Sequence, residues 1–528
     1  MPVILPAYLN IYAMKKYLLL SFLMISYSVY AQIPEDVLRY SYYPQSGTAR
    51  SMAIGGAMGS LGGDITANFV NPAGLGNYKT GEFVFTPGFF SNNNKADFRD
   101  SKLKSNKSSF SLVGGPIGFV FGTGVPDKPN TSRAFSIAVT QTANYNNTVQ
   151  YSGYNNYSSF SEQFAEQAIP ALSGDSINGV LSNPQYAYGV SPALFTYLVD
   201  TFSGNRVKAL PEFVLAEGKA LLQQNTLQTS GGMYEVALGY AVNKNDKLLI
   251  GGSIGIPIIN YNSTSTFRET DTSANTNNNF GYFNYSDHFS TKGVGLNLKL
   301  GIIYKPSEFL RLGFALHTPS YMFTVKDKRN VDLEVNTENY KGLRSVSSEL
   351  FTNNIPGESS YSLLTPWKAL VSASYVLGQT ENVKQQKGFV TADIEYVRHS
   401  ASSFYSANAA PAAGEKEYYD ALNQVIRNQY KGAFNFRAGG ELKFNVIMAR
   451  LGFAYYTNPY KDVALKANKM LLSGGIGYRN KGFFADLTYV YSVNKDVNFP
   501  YRLQDKDNTF ANLQNQRGNI IASIGCKF

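Results

Sequence analysis

From Tyr234 to Val242 the sequence YEVALGYAV changes character at every residue. Tyr234, Val236, Leu238, Tyr240 and Val242 are apolar, while Glu235, Ala237, Gly239 and Ala241 are polar or small. A period of two marks an extended strand with two unlike faces. The pattern recurs in LLIGGSIGIPI (248–258), GVGLNLKLGIIY (293–304), FLRLGFALH (309–317) and NFRAGGELKFNV (435–446). After Ala31 no run reaches the roughly 20 apolar residues of a spanning helix. The chain is therefore either a soluble all-β protein or a membrane barrel.

Runs of this kind number about fourteen, an even count within the range of bacterial barrels. They are expected near 80–90, 108–122, 133–150, 233–243, 247–262, 291–304, 309–326, 366–378, 388–400, 433–445, 449–461, 469–479, 482–496 and 518–528. Their connections alternate in length. NKND, KPSE, NVIM and RNKG are tight turns, whereas 151–232, 263–290, 327–365, 401–432 and 497–517 are long. Short turns at one end and long loops at the other are the plan of an outer-membrane barrel, and a sandwich has no reason to adopt it.

In a membrane barrel the apolar face meets lipid and the polar face the lumen. Reversing 309–317 would put Arg311 in lipid, at a cost of about 2–4 kcal/mol near the midplane. The C-terminal NIIASIGCKF sets Ile520, Ala522, Ile524, Cys526 and Phe528 on one face. Cys526 is the one cysteine of 528 residues, which excludes an internal disulfide framework and a multi-cysteine zinc site. It reads as a small lipid-facing residue. The 47 Gly, 38 Tyr and 35 Phe, with 16% charged residues, suit closely packed strands.

The N-terminus carries MKKYLLLSFLMISYSVYAQ from Met14: two lysines, an apolar core, then Val29-Tyr30-Ala31. This predicts a signal peptide over 1–31 cut after Ala31, with 1–13 an extension of the true start at Met14. Residues 32–79 do not alternate. GTARSMAIGGAMGSLGGDITANFVNPAGL is small and weakly apolar, and a barrel of fourteen strands is too wide for wall side chains to fill. A lumenal plug over 32–79, ahead of a barrel over 80–528, is the expected arrangement.

Thr48-Ala49-Arg50-Ser51-Met52-Ala53-Ile54-Gly55-Gly56-Ala57 and Asn71-Pro72-Ala73-Gly74-Leu75 resemble the N-terminal hatch of FadL/TodX-type outer-membrane transporters of long-chain fatty acids and hydrocarbons. GIIYKPSEFLRLGFALHTPSY and TPWKALVSASYVLG are similar to strands of the same family, and a terminal Phe is the usual tail read by its barrel-assembly machinery. The resemblance implies an all-β fold: a 14-stranded antiparallel transmembrane barrel with a lumenal hatch and a helical extracellular loop. It implies passive uptake of a hydrophobic small molecule from the lipopolysaccharide-rich outer leaflet, without cofactor or metal, by a monomer.

Within that reading Asn71, Pro72 and Ala73 form a rigid corner of the hatch, since Pro fixes φ and biases Asn71 to extended geometry. An ordinary Asn-Pro turn is compatible with the same residues. In the long connection 151–232, SSFSEQFAEQA, SPALFTYLVDTF and PEFVLAEGKALLQQ read as short amphipathic helices, with Phe160, Phe164 and Ala168, or Leu194, Tyr197 and Leu198, on one face. Such faces serve either as a greasy landing site or as the inside of a loop cap. Lys299, Arg311 and His317 are further ligand candidates, the first two as partners of a carboxylate.

Two other functions stay open. One is haemin uptake, with His288, His317, His399 or a tyrosine on iron. The other is a non-transport scaffold of the type IX secretion kind. An enzyme is not expected, because no Ser-His pair backed by a polar group is apparent. The net charge of +10 is scattered through turns and loops near lipid phosphates, and no nucleic-acid module accompanies it.

Overall fold

Alternation in the sequence becomes a closed antiparallel wall of 14 strands. The computed structural model describes residues 36–528 apart from 127, 203–205, 379–385, 409 and 464. The signal-peptide and start-site expectations lie outside the described residues.

The first wall strand is β1 (Glu82–Phe85) continued by β2 (Gly88–Phe98), the second β3 (Ser101–Ser111) and β4 (Ile117–Val125), the third β5 (Lys128–Asn144) and β6 (Asn147–Asn155). A loop region carrying the hairpin β7 (Val199–Phe202) and β8 (Arg206–Ala209) follows, then β9 (Leu221–Lys244), β10 (Leu248–Asp271) and β11 (Tyr282–Tyr304). The seventh strand is β12 (Leu310–His317) with β13 (Tyr321–Asn336), on which the short β14 (Leu343–Ser347) folds back. Next come β15 (Gly357–Leu364) with β16 (Lys368–Gly378), and β17 (Gln386–Arg398) with β18 (Ser403–Ser406). The wall ends with β19 (Gly432–Phe444), β20 (Ile447–Tyr456), β21 (Lys469–Asn480), β22 (Phe483–Asn498) and β23 (Ala511–Lys527). β1 and β2 pair with β23, as in Glu82↔Lys527 and Gly88↔Ile521, and close the cylinder. Four of the breaks within wall strands contain a proline, Pro87, Pro116, Pro319 or Pro366, which cannot donate to a ladder.

The facing is inverted relative to a soluble protein. Leu238, Tyr240, Ile250, Ile254, Leu298 and Phe314 are exposed, whereas Glu235, Lys299, Asp393, Arg437, Arg450 and Asp486 are buried inside. Lipid accounts for the first set and a filled lumen for the second. Cys526 is exposed on the outer face with Ile520 and Ile524.

The expected strand limits fall short at the loop end. β9 and β10 have 24 residues each, where a membrane strand needs roughly 9–11. Segments expected as loop, such as 263–271 and 282–290, are instead paired strand (Ser263↔Thr229, Phe283↔Glu269). Above the membrane both faces of a strand meet polar surroundings, so alternation fades there while the ladder continues. The long connection 151–232 likewise narrows to 156–220.

Two of its three expected helices are shorter than their sequence pattern. α3 (Glu162–Gly174) is present; α1 and α2 lie in the N-terminal segment, at Asp36–Arg39 and Ala49–Ala53. α4 (Ile177–Ser182) follows, then α5 (Val190–Phe195), which stops before Tyr197 at φ +61, and Val199–Phe202 is strand. α6 (Pro211–Ala216) stops before Gly218 at φ +71, and the rest of that run opens β9. A left-handed residue ends a helix whatever the apolar pattern beyond it. α7 (Ala413–Gln429) buries Tyr419, Leu422 and Ile426 over the ninth-to-tenth strand connection. No helix among the described residues is long and apolar enough to cross a membrane.

Residues 36–78 lie inside the wall. Tyr40, Ala53, Ile54, Ile65, Ala73 and Leu75 are all buried, and Ile54, Ile65 and Leu75 sit in clusters completed by wall residues such as Ala237, Ala315 and Leu370.

Candidate functional site

Asn71 is extended (φ −145°, ψ 100°), as the following proline dictates, and its Oδ1 accepts from the Ala73 N–H at 3.2 Å, capping the 3₁₀ turn Pro72–Asn77. Pro72 starts that turn, where no N–H is needed. The Asn71 Nδ2 donates to the carbonyl of Gly59 at 2.6 Å and to those of Ile302 at 3.2 Å and Phe314 at 3.4 Å. One amide thus joins two parts of the N-terminal segment to β11 and β12. The approach requires Gly301, because a Cβ there would overlap Asn71 Oδ1. A Cβ on Gly251 would likewise stand 2.6 Å from the Pro72 carbonyl carbon. Pro72 and Ala73 are buried in the same corner.

The attachment continues round the wall. Ala49 N–H donates to Ser523 Oγ at 2.8 Å, Thr488 Oγ1 to the Ala49 carbonyl at 2.6 Å, Ser473 Oγ to the Ala53 carbonyl at 3.1 Å, and Ser132 Oγ to the Gly76 carbonyl at 2.7 Å. Charges reinforce it. Asp393 accepts from Gly59 N–H at 3.2 Å and faces Arg437 at 3.7 Å; Arg50 of the segment faces Glu441 at 3.6 Å, which also takes Arg450 Nε at 2.6 Å. Arg450 Nη1 donates in turn to Asp486 at 2.6 Å.

The three polar candidates on the wall belong to this belt. Lys299 is paired with Glu235 and donates to Asn297 Oδ1 at 2.7 Å, so it meets a carboxylate of the chain itself. Arg311 Nη1 donates to the Leu61 carbonyl at 2.9 Å, and His317 Nε2 lies 2.9 Å from the Val70 carbonyl. Arg311 and His317 hold the segment in place, while Lys299 ties β11 to β9 within the wall; none of the three lines the cavities above.

Towards the loops the segment leaves a cavity of about 650 Å³, lined by Tyr42, Met52, Phe90, Leu471, Val490 and Ile521 among others. Lys469 and Arg517 line it too. Lys469 Nζ donates to the Tyr42 carbonyl at 2.6 Å, whereas the Arg517 guanidinium makes no hydrogen bond or ion pair among the described residues. The cavity shares Tyr460, Ala467, Lys495, Phe499 and Arg502 with an outer vestibule of about 1240 Å³. Six lysines and Arg502 line that vestibule against three aspartates. Its field favours anions.

Phe90, Gly114, Asn144 and Tyr145 of the same cavity stand where the wall is incomplete. β4 pairs with β5 from Ile117↔Val139 to Val125↔Lys128, but nearer the loops β3 has a ladder with β2 alone and β6 with β9 alone. Side chains bridge the interval: Asn94 Nδ2 to the Thr148 carbonyl at 2.5 Å, Ser105 Oγ to the same carbonyl at 2.8 Å, and Asn92 to the Asn146 carbonyl. Phe110 and Leu112, 64% and 63% exposed, flank it on the outside. The cavity therefore adjoins a seam in the wall.

With strand number, facing, plug and seam in place, the Pseudomonas aeruginosa FadL homologue is similar, with a TM-score of 0.51 and 12% identity over 90% of this chain and 98% of its own. The chain has the FadL-type fold. The Pseudomonas putida toluene transporter TodX (TM-score 0.49, 12% identity, 92% and 99% covered) and the Ralstonia pickettii toluene transporter TbuX (0.47, 15%, 92% and 100%) are also similar. No family model and no curated protein matches the sequence.

In this FadL-type barrel the loop end is capped by α3 to α6. Phe164, Leu194 and Leu198 are buried in one cluster with Phe160, Phe267 and Phe283, so their faces form the inside of the cap. Tyr197 is half-buried and stands under Lys341 and Arg344, 4.9 and 5.0 Å from its ring centre. Glu269, on the part of β10 beyond the membrane, ties cap to wall: it accepts from Ser159 Oγ, from Phe160 N–H at 3.2 Å and from Gln223 Nε2 at 2.7 Å. Burial raises its pKa to about 7.

The histidines are apart. His399 is buried with Nδ1 3.2 Å from Ser41 Oγ, and His288 lies outside near Asp332 at 3.5 Å. No group of three or more His, Cys, Asp or Glu residues placed to hold a metal occurs among the described residues. Reasoning from sequence missed Lys469, Arg517, Asn92 and Asn94. The asparagine run SNNNK was their one visible trace.

Proposed function

We propose that the protein is an outer-membrane channel for passive uptake of hydrophobic molecules carrying an anionic head, such as long-chain fatty acids. The observation that carries this reading is the coincidence of a bolted plug, a cavity and a seam: the axial route is closed by residues 36–78, and the cavity above them meets the gap between β3 and β6. A ligand leaves the lipopolysaccharide-rich leaflet, enters the basic vestibule, places its head near Arg517 and Lys469 and its chain along Leu471, Val490 and Ile521, and exits sideways into the bilayer. Charge-assisted bonds to an otherwise unpaired guanidinium select the head. The hatch formed by residues 36–78 stays in place, with Asn71, Pro72 and Ala73 as its fixed corner, and the barrel works as a monomer.

The test is uptake of labelled long-chain fatty acid and of haemin in cells lacking the gene and in cells restored with the wild type or Arg517→Ala. Return of fatty-acid uptake with the wild type, reduced at least fivefold with Arg517→Ala, supports the reading. Return of haemin uptake alone overturns the substrate, and return of neither overturns transport in favour of a secretion scaffold.

A further inference from the structure

A second cavity, of about 410 Å³, lies beneath the loop cap and shares no lining residue with the lumenal cavity or the vestibule. Its size is that of a small-molecule site. Aromatic side chains form much of it: Phe160 stacks on Phe267 at 4.5 Å, Tyr285 stands 5.1 Å from Phe160 and 5.6 Å from Phe164, and Tyr186 and Tyr188 close one side. Between them lie polar groups of both hydrogen-bonding senses. Gln163, Gln167 and Tyr186 line the cavity, and their side chains have no hydrogen-bond partner among the described residues.

The charges decide what fits. Arg329, the one cation among the described residues that line the cavity, is engaged by Asp287 at 2.7 Å, so none of these is free for an anion. Two carboxylates are ion-paired, Asp287 with Arg329 and Glu358 with Lys328, whereas Asp327 accepts from Thr291 at Oδ1 (2.7 Å) and its buried Oδ2 has no hydrogen-bond partner among the described residues. A cation would meet that one oxygen with the Arg329 charge lining the same cavity, whereas a hydroxyl can donate to it without bringing a charge. A hydrocarbon would strip water from the Gln163 amide without replacing its bonds, which costs about 1–3 kcal/mol per group. What remains is an uncharged ligand with hydroxyls that both donate and accept, and with C–H faces that pack on aromatic rings.

We propose that this cavity binds a saccharide, as a free sugar or as the sugar head of a surface glycolipid. The amides of Gln163 and Gln167, one helical turn apart on α3, take its hydroxyls, and the Phe160, Phe164 and Tyr186 rings take its apolar faces.

The test uses the full chain in an amine-oxide detergent, which has no sugar head. Saturation-transfer NMR is recorded with maltose, with N-acetylglucosamine, with intact lipopolysaccharide and with lipid A stripped of its core sugars. Transfer to sugar protons is expected, with affinity at least tenfold lower in Gln163→Leu and in Tyr186→Ala while fatty-acid uptake is unchanged. Transfer from free sugars identifies a solute as the source, and transfer from lipopolysaccharide but neither free sugar nor lipid A identifies the glycolipid. Absence of transfer from every sugar-bearing probe, or transfer that survives both variants, overturns the site.

Discussion

At the scale of single residues, Asn71 and Glu269 make opposite uses of burial. Asn71 is neutral and its amide is saturated by three carbonyls on three segments. Removing it leaves buried acceptors unpaired, at about 1–3 kcal/mol each at most. Asn71→Ala is expected to fold but to loosen the corner, read as faster proteolysis of residues 59–76 from the periplasmic side and as reduced uptake; Gly301→Ala is expected to loosen it further. Glu269 titrates. Its folded pKa, raised to about 7 by burial, exceeds the ordinary 4.5, so the folded cap holds a proton that the unfolded cap has released between those values. Stability from this group is full below about pH 4.5 and is lost as pH rises towards 7, on the order of 3 kcal/mol in all. The protection of α3 amides, with intrinsic exchange rates divided out, is expected to fall from pH 5 to pH 8, and Glu269→Gln to remove that difference.

At the scale of elements, the seam between β3 and β6 is the part of the wall held by side chains instead of a ladder. A disulfide engineered at Ser109 and Asn144, whose side chains approach to 3.5 Å, is expected to abolish uptake when oxidised and to restore it when reduced, with Cys526 present throughout as the thiol control. Fatty-acid uptake unchanged by oxidation would show that ligand leaves another way. The strands around this seam also show where reading a sequence succeeds. Inside the membrane one face meets lipid and the other the lumen, and Leu238, Ile254 and Phe314 announce it. Above the membrane that contrast disappears, so residues such as Thr264 and Arg268 carry no facing signal although their ladders run on. Arg437 and Glu441 were legible as lumenal from alternation alone. Their partners were not, because Arg437 meets Asp393 only through the register of β17 against β19.

For the whole molecule, the plug is what fills the lumen that 14 strands enclose. Deleting residues 36–78 is expected to leave the wall foldable and to give conductance steps in planar bilayers that the full chain lacks. A deleted barrel that stays electrically silent would mean that the loop cap, and not the plug, seals the lumen. The plug was legible from the mismatch between a wide barrel and a small, glycine-rich leader; its fastening was not, since Gly239, Gly251, Gly301 and Gly313 read simply as the small face of a strand. Arg517 gave no signal either, because a lumenal arginine with a partner and one without look alike in sequence.

The fastening also dictates an order of construction. A segment whose backbone lies against β23, β22, β21, β17, β12, β11 and β5 in turn cannot be threaded into a cylinder that has already closed. It continues directly into β1, and β1 and β2 are the strands that zip to β23. The leader must therefore settle onto the growing sheet while that last edge is still open, so closure of the wall is the step that locks it in.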